Sequence, residues 1–367
     1  MAAGFAQWGN DLYTGRRSYD IVGKRKIWYW ISAVLVVVTG ILIFQPGLNP
    51  GIEFRGGSEF VVSGASGSDD QATAIDAVLD VAPGESPEVT NLGSNSLRIQ
   101  TSELSNEQVE AVSSQLQDAF GVGPEAVTSA FIGPTWGQDV SRKAIQGIFF
   151  FLIFVAAVMT LYFRNWRMAA SALLALAHDL VITVGIYAAV GWEVTPATVI
   201  GFLTILGYSI YDTVVVFDKV RENTADTLDQ SRFTYAEKAN LAVNQTLVRS
   251  INTSVVALLP VSAILVVGAF VLGTGSLRDI ALALFIGMAV GTFSSVFIAT
   301  PLEVTFRERE PKIKAHTAKV LRARAAAGDD ADTVALASAS GSTAAGQLRP
   351  GAHRGQGAQP KRRGRGK

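Results

Sequence analysis

The stretch that decides the fold is Gly207-Tyr-Ser-Ile-Tyr-Asp212-Thr-Val-Val-Val-Phe-Asp218-Lys-Val-Arg-Glu-Asn223. It closes an apolar run that starts at Pro196 and is long enough to cross a bilayer, which takes about 20 residues. Asp212 falls inside that run, shortly before its charged end. A carboxylate at membrane depth costs at least about 2.5–3.5 kcal/mol even on lenient insertion scales. We therefore expect Asp212 to face the interior of a helix bundle, where it forms an ion pair or carries ions.

Apolar runs of similar length recur along the chain. The sequence is 49% hydrophobic and only 17% charged, with a mean hydropathy of +0.30. Runs of about twenty apolar residues are typical of membrane-spanning helices. They predict six transmembrane helices, at residues 27–44, 144–163, 168–190, 196–217, 251–272 and 280–300. Because the first run follows Lys24-Arg25-Lys26 and lacks a small-x-small cleavage site, we expect it to be retained as an anchor.

Residues 45–140, between the first two spans, form a polar segment. From Gly47 to Val140 it holds fourteen acidic residues against two basic ones, Arg55 and Arg98. Hydrophobic periodicity predicts strands and helices in the order βαββαβ. That order is typical of a small ferredoxin-like α+β domain. We interpret its dispersed acidic residues as a solvated surface.

The distribution of Lys and Arg predicts the orientation of the chain. Basic residues concentrate in residues 1–26, in the turn at 164–167, in the predicted loop 218–250 and in the tail 301–367. With six spans these segments share one side of the membrane, which the positive-inside rule identifies as the cytoplasm. We therefore expect both termini in the cytoplasm and the ferredoxin-like domain in an extracytoplasmic position.

The tail, residues 301–367, is predicted to be basic and largely disordered. From Thr305 onward it has fourteen basic residues against five acidic ones, and beyond Ala325 it is rich in Gly, Ala and Ser. Such a composition is typical of disordered segments. As an open alternative the tail contacts anionic lipid or ribosomal RNA, because both attract clusters of Lys and Arg.

Three ionisable residues fall at membrane depth: His178, Asp179 and Asp212. At about 1.5 Å per helical residue, Asp179 lies about 15 Å and Asp212 about 7–8 Å from the cytoplasmic surface. Arg249 stands at the cytoplasmic end of the fifth span, from which its side chain can reach Asp212. Further polar residues line the same region, namely Thr204, Tyr208, Ser209, Asn252, Thr253 and Ser254. Together these positions predict a polar track through the inner half of the membrane.

Two interpretations of an Asp212–Arg249 pair stay open. If the pair makes and breaks, Asp212 takes up and releases protons, which is how membrane proton relays are built. If the pair is static, it only fixes two helices together. For His178 and Asp179 we prefer the second kind of interpretation, a satisfied polar contact between helices.

Missing motifs exclude several classes of enzyme. The chain has no cysteine, which excludes disulfides and thiolate catalysis. It contains no G-x-x-x-x-G-K-[ST] phosphate-binding loop, no G-x-S-x-G elbow and no H-E-x-x-H zinc motif. We therefore predict a protein that is not an enzyme and needs no cofactor or metal. Energy for any work would come from an ion gradient or from a partner.

Four segments carry a family resemblance. They are Gly51-Ile-Glu-Phe-Arg-Gly-Gly-Ser58, Ala177-His-Asp179, Arg249-Ser-Ile-Asn-Thr-Ser254 and the fourth-span stretch quoted first. Together they resemble SecF, the family of smaller partners of SecD in bacterial protein export. The fourth-span motif is highly specific, whereas the Glu-Phe-x-Gly-Gly segment is shared with SecD.

The resemblance implies a fold, partners and a function. Six spans would form half of a unit similar to the RND transporters, completed by SecD in the bacterial inner membrane. The implied partners are SecD, the SecYEG channel, SecA, a YajC-like small subunit, the translocating preprotein, membrane lipids and protons. The family uses the proton motive force to assist preprotein translocation; its proton-coupled Asp and Arg map onto Asp212 and Arg249, and its His-Asp pair maps onto His178 and Asp179. Two alternatives are a non-conducting scaffold in the same complex and an RND-like exporter of lipids or small molecules.

Overall fold

A computed structural model describes residues 2–65, 68–92, 95–268 and 275–327 of the 367-residue chain. The predicted end of the fifth span, part of the turn that follows it and the tail from residue 328 lie outside the described residues. The helices and strands, in chain order, are α1 (Ala2–Tyr13), α2 (Arg25–Leu42), β1 (Asn49–Pro50), α3 (Ile52–Arg55), β2 (Gly57–Ser63), α4 (Ser68–Val81), β3 (Glu88–Asn91), β4 (Ser96–Thr101), α5 (Asn106–Phe120), β5 (Val127–Ile132), α6 (Pro134–Phe163), α7 (Trp166–Val190), β6 (Glu193–Val194), α8 (Pro196–Thr224), α9 (Tyr235–Val266), α10 (Gly275–Ser294), α11 (Thr300–Glu308) and α12 (Pro311–Ala327).

Six of these helices, α2, α6, α7, α8, α9 and α10, are long and apolar enough to cross a membrane, as the sequence predicts. The last of them continues through a π-helical turn, Ser295–Ala299, into α11, so that this span covers Ser276–Glu308. Each span has at least 21 residues, which exceeds the roughly 20 that a bilayer requires. The described chain therefore has the architecture of a multi-pass membrane protein.

Capping residues explain where these helices begin. Proline occupies the first turn of α6 and of α8, at Pro134 and Pro196, where a missing N–H costs nothing. The side chains of Thr195 and Thr234 form capping boxes at the starts of α8 and α9. Asn165 caps α7, because its side-chain oxygen accepts a hydrogen bond from the backbone N–H of Arg167, two residues on. The short connections between the spans are therefore encoded locally.

Small residues bring α8 and α10 close together. A Cβ atom on Gly287 would lie 2.2 Å from Ile205 Cδ1, and one on Gly201 would lie 2.6 Å from the Ala283 Cβ. Real carbon atoms do not approach so closely, so these glycines set the distance between the two helices. Together with α7, these helices form the buried centre of the bundle, whereas α2, α6 and α9 expose most of their apolar surface.

The region between α2 and α6 contains a four-stranded antiparallel sheet, which we call the sheet domain (residues 57–132). Its strand order is β3-β4-β2-β5, with β2 paired to β4 and to β5. One face packs on α4 and α5 around a core that includes Phe60, Val62, Ala74, Val78, Leu97, Ile99, Val112 and Leu116. Because side chains alternate along a strand, Glu59 on β2 and Arg98 and Gln100 on β4 point to the opposite face.

Residues 52–62 alternate in the sequence like one strand, the first of the predicted order, but the structure divides them. Residues 52–55 form the short helix α3, and β2 begins only at Gly57. Gly56 has a φ of +83°, which favours glycine, and a Cβ on Gly57 would lie 2.4 Å from the Thr101 carbonyl oxygen. The two glycines therefore permit a sharp change of direction and a close approach of β2 to β4.

Two segments expected to lack regular structure are largely helical. The predicted loop 218–250 is the end of α8 and the first half of α9, and only residues 225–234 separate the helices. Its apolar residues Ala239, Ala242, Val243 and Leu247 are buried at helical spacing, which the polar composition concealed. The first part of the tail, through residue 327, forms α11 and α12. The prediction of disorder rests on the Gly-, Ala- and Ser-rich part beyond Ala325, almost all of which lies outside the described residues.

Candidate intramembrane carboxylate site

Asp179 lies in the middle of α7 and is completely buried. Its Oδ2 atom accepts hydrogen bonds from the hydroxyl of Ser209 on α8 at 2.6 Å and from the hydroxyl of Ser294 on α10 at 2.7 Å. Its Oδ1 atom lies 3.2 Å from the Nδ1 atom of the neighbouring His178. Three helices therefore meet at this carboxylate.

Asp212 lies on α8, three residues beyond Ser209, and is 5% exposed. Its Oδ1 atom accepts a hydrogen bond from the Ser250 hydroxyl of α9 at 2.8 Å. Its Oδ2 atom accepts a second hydrogen bond from the Ser295 hydroxyl, at the start of the π-helical turn after α10. The second carboxylate is thus also held by hydroxyls from two other helices.

Consecutive serines join the two carboxylates. Ser294 donates to Asp179, and Ser295, the next residue, donates to Asp212. A π-helical turn, which has more residues per turn than an α-helix, begins at Ser295. At this point the side chains of two adjacent residues point to two different carboxylates. We call Asp179, Asp212, Ser209, Ser250, Ser294 and Ser295 the inner cluster.

The expected contact between Asp212 and Arg249 is not formed. Among the described residues the Arg249 side chain has no ion pair, and it is exposed on the outside of the bundle. The neighbouring Ser250 faces Asp212 instead. Because one helical residue turns by about 100°, a side chain next to a contacting residue points elsewhere. Distance along the chain predicted that the Arg249 position lies beside Asp212, but it did not predict which way the Arg249 side chain points.

The other predicted residues divide into two groups. Ser254 is buried and its hydroxyl lies 2.6 Å from that of Thr292 on α10, beside the inner cluster. Tyr208 is half-buried and Asn252 is exposed, and neither contacts the two carboxylates. Ser250, Ser294 and Ser295 were not predicted as site residues from the sequence. The available signal was the pair of adjacent serines inside the sixth apolar run.

The shell around the two carboxylates is chemically neutral apart from His178. A serine hydroxyl can donate to an ionised carboxylate, and it can also accept from a protonated one. Within the described residues no group of three or more His, Asp or Glu side chains has the arrangement of a metal site. The arrangement is therefore compatible with the uptake and release of a proton at either carboxylate.

A cavity of about 590 Å³ borders this site from one side. It lies between α1, α2, α9 and α10, and its wall includes Ser250 and Thr292. Most of its remaining lining is apolar, with Lys24 and Asp20 at one end. Ser250 therefore stands between Asp212 and an open space.

Comparison with known proteins assigns these residues to a family. The family model described as "Protein export membrane protein SecD/SecF, C-terminal" matches residues 111–309, which include the whole inner cluster. The model described as "SecD/SecF GG Motif" matches residues 41–64, which include Gly56 and Gly57.

Full-length relatives agree with this assignment. The protein translocase subunit SecF of Streptomyces coelicolor is 45% identical over 338 residues, covering 89% of this chain and 88% of that protein. The subunit SecF of Mycobacterium tuberculosis is 38% identical over 327 residues, covering 85% and 72%. The crystal structure of SecDF from Thermus thermophilus, named as a translocon-associated membrane protein, is similar with a TM-score of 0.69 and 30% identity. That match covers 80% of this chain and 39% of the longer SecDF chain. This chain therefore belongs to the SecD/SecF family of protein export membrane proteins and is of the SecF type.

Proposed function

We propose that this chain is a protein translocase subunit that works with SecD. The pair would use the proton motive force to assist preprotein translocation through SecYEG across the bacterial cytoplasmic membrane. One observation carries this proposal: Asp179 and Asp212 are buried in the centre of the bundle and are satisfied almost entirely by neutral hydroxyls. Buried ionisable groups in membrane spans usually mark a substrate or ion pathway.

The depth of Asp212 supports a transport role. It lies sixteen residues beyond Pro196, or about 24 Å along α8, within a hydrocarbon core of about 30 Å. A permanently ionised carboxylate would be expensive there without a cation beside it. A shell of hydroxyls instead accommodates the carboxyl group in both protonation states. These properties suit a group that alternates between the two.

The outer surface of the bundle supports a partner within the membrane. Arg249 and Asn252 are exposed on α9 at the level where Ser250 meets Asp212. Exposed to lipid, a guanidinium at this depth would be costly, so a second membrane protein with acceptor groups is expected to cover it. SecD is the natural candidate, because the similar SecDF structure is a single longer chain. SecYEG, SecA, a YajC-like small subunit and the preprotein follow as further proposed partners.

The orientation belongs to the same proposal. The sheet domain would be ferredoxin-like and extracytoplasmic, and both termini would be cytoplasmic. The element order of the sheet domain and the basic residues at the opposite end of the bundle support this arrangement.

The test is proton flux and preprotein export in vesicles that contain SecYEG, SecA, SecD and this chain. Asp212→Asn is expected to abolish the part of both signals that depends on the proton gradient, while co-purification with SecD is retained. Asp218→Asn is the matched control, because Asp218 lies on the same helix but contacts Tyr162 at 2.8 Å, away from the inner cluster. Equal flux and export in Asp212→Asn and wild type would contradict the proposal.

Two other functions would give different results. A non-conducting scaffold predicts that Asp212→Asn loses export only when the complex fails to assemble. An RND-like exporter would use the 590 Å³ cavity, which lies within the usual size range of small-molecule sites. For an exporter, loss of the chain would make cells sensitive to apolar compounds while preprotein export stays normal.

A further inference from the structure

A second polar cluster lies where the sheet domain meets the bundle. Arg98 of β4 contacts Glu193 of β6 at 2.9 Å and Glu59 of β2 at 3.4 Å. Gln100 donates hydrogen bonds to Glu193 at 2.8 Å and to Glu59 at 3.1 Å. The side chains of Arg98, Glu59 and Glu193 are only 12%, 20% and 13% exposed. We call these four residues the outer cluster.

The backbone reinforces this contact. Residues 49–50 of β1 pair in parallel with residues 193–194 of β6, and the Gly51 N–H donates to the Val194 carbonyl at 2.8 Å. A Cβ on Gly51 would lie 3.3 Å from the Val194 carbonyl oxygen, so the two backbones pack closely at this position. The open face of the sheet domain is therefore attached to the α7–α8 turn by side chains, and the segment that precedes the sheet domain is attached to the same turn by main chain.

The α7–α8 turn also contacts α10. Two residues after Glu193, the Thr195 hydroxyl donates to Asp279 Oδ2 at 3.0 Å. The Tyr187 hydroxyl of α7 donates to the Asp279 carbonyl at 3.2 Å. Asp279 is buried and also lies 3.5 Å from Arg278. The sheet domain thus rests on the joined ends of α7, α8 and α10.

The same helices carry the inner cluster at greater depth. Asp212 lies on α8, and its partner Ser295 directly follows α10. Between the two clusters, the glycine contacts at Gly201 and Gly287 pack α8 closely against α10. We therefore expect a displacement of α8 and α10 at the inner cluster to reach the turn that holds Glu193.

We propose that the Arg98–Glu193 contact is the joint through which movement of α8 and α10 is transmitted to the sheet domain. The proposal rests on the proton-coupled function proposed above. Arg98 and Glu193 act as positioning residues, and neither carries the transported proton in this scheme. The joint works as a rigid connection, because separating Arg98 from Glu193 breaks a largely buried, hydrogen-bonded ion pair and leaves the Glu193 carboxylate without the cation that faces it. Breaking it should uncouple export from proton flux.

The first test breaks the joint in the complex of SecD, SecYEG, SecA and this chain. With Arg98→Ala, export driven by the proton gradient is expected to fall at least about fivefold, the lower end of ordinary coupling between sites. Proton flux in the same vesicles should stay close to wild type. Glu193→Ala should behave alike, and its position outside the sheet domain protects that domain's fold. Arg55→Ala is the control, since Arg55 and its partner Glu88 are 3.9 Å apart and both 42% exposed.

The second test rebuilds the joint covalently. The chain has no cysteine, so Arg98→Cys with Glu193→Cys introduces the two thiols alone. Before linking, this double variant should show the uncoupled behaviour. A short bifunctional maleimide, which forms one thioether with each thiol, should then restore export. Each single cysteine variant treated in the same way should stay uncoupled.

The outcomes separate the two proposals. Wild-type export in both Arg98→Ala and Glu193→Ala would overturn the joint, as would a linked double variant that stays inactive. Loss of both proton flux and export in the alanine variants would also overturn the proposed joint, because that result indicates damage to the inner cluster. Normal flux and export in Asp212→Asn would instead overturn the proton-coupled function, and the joint as a coupling device would fall with it.

Discussion

The inner and outer clusters are both polar and both shielded, yet they are satisfied in opposite ways. In the part of the chain that the structure describes, Asp212 of the inner cluster is held by two serine hydroxyls and by no cation. In the outer cluster Glu193 faces the guanidinium of Arg98, which stays protonated in proteins. The partners of Asp212 can therefore form hydrogen bonds with either protonation state of the carboxyl group, whereas Glu193 faces a permanent positive charge.

The difference assigns a different physical task to each region. A neutral shell allows charge to change at small cost, whereas a buried ion pair makes any change of charge expensive. A region that must switch is therefore built from hydroxyls, and a region that must hold its geometry is built around an arginine. The following experiments exchange or weaken these properties.

Placing a cation in the inner cluster, as in the outer cluster, should have the largest effect on proton-coupled export. Ser250→Lys brings an ammonium group to Asp212, whose Oδ1 now accepts from the Ser250 hydroxyl at 2.8 Å. A cation placed about 4–6 Å from a carboxylate favours the charged form, so a group that must change its charge would be held in one state. Proton-coupled export in the vesicle assay should therefore fall by about tenfold or more.

The matched variant for this change is Ser250→Thr, which keeps the hydroxyl and should retain most of the export rate. Co-purification with SecD checks that the lysine variant still assembles. Rapid export by an assembled Ser250→Lys complex would mean that Asp212 need not change its charge.

Removing one neutral donor should have a smaller effect. Ser294→Ala deletes the 2.7 Å hydrogen bond to Asp179 and leaves the bond from Ser209. A hydrogen bond to a charged group contributes about 1.5–3 kcal/mol, so we expect the initial export rate to fall by about tenfold. Ser262→Ala is the control, because the Ser262 hydroxyl bonds only to the Leu258 carbonyl of its own helix. Equal losses in the two variants would argue against a special role for Ser294.

Separating the helices that connect the two clusters should lower stability. Gly287→Ala places a Cβ 2.2 Å from Ile205, and overpacking of this kind costs roughly 1–3 kcal/mol. Gly207→Ala, where nothing lies within 4 Å of the new atom, should be neutral or stabilising by up to about 1 kcal/mol. Thermal unfolding in detergent compares them. Similar melting temperatures would show that α8 and α10 can readjust.

Acidification should stabilise the folded protein slightly through the buried carboxyl groups at and near the outer cluster. Burial raises the pKa of the Glu53 and Glu193 carboxyl groups, and at Glu193 it outweighs the opposing effects of Gln100 and Arg98. Because the folded-state pKa is raised, this stability is complete below the ordinary carboxyl pKa and is lost as pH rises through the raised value. The melting temperature of wild type should therefore rise on going from about pH 8 to about pH 5, by a few degrees at most.

The comparison with Glu193→Gln isolates this contribution, since the amide does not titrate. Nearby charged groups, namely Glu59, Arg98, Arg278 and Asp279, are present in both proteins. The variant should gain less on acidification than wild type does. An equal gain in both proteins would assign the pH dependence to other groups.

The two aspartates of the inner cluster could be found from the sequence because a carboxylate inside an apolar run is conspicuous. Their serine partners could not. A serine in a membrane helix commonly bonds to its own backbone, as Ser262 does, and only the rotation of the helix decides whether it faces a neighbour. The same rotation placed Ser250, and not Arg249, against Asp212.

The outer cluster lay beyond sequence reasoning for another reason. Arg98 and Glu193 are 95 positions apart in the sequence, and two membrane spans lie between them along the chain. No periodicity connects them, and Arg98 looked like one of two isolated basic residues in an acidic segment. The six spans, in contrast, were predictable because each is a single continuous apolar run whose length and polarity can be read directly from the sequence.

The adjacent serines Ser294 and Ser295 have a consequence for how substitutions at the two carboxylates combine. Each serves a different carboxylate, and a single peptide unit separates them. A change of the backbone that weakens the hydrogen bond to Asp212 therefore also moves the donor at Asp179. Substitutions of neighbouring residues that share a backbone segment usually do not add in their effects. The loss of export in a double variant, Ser294→Ala with Ser295→Ala, should therefore differ from the combined losses of the two single variants.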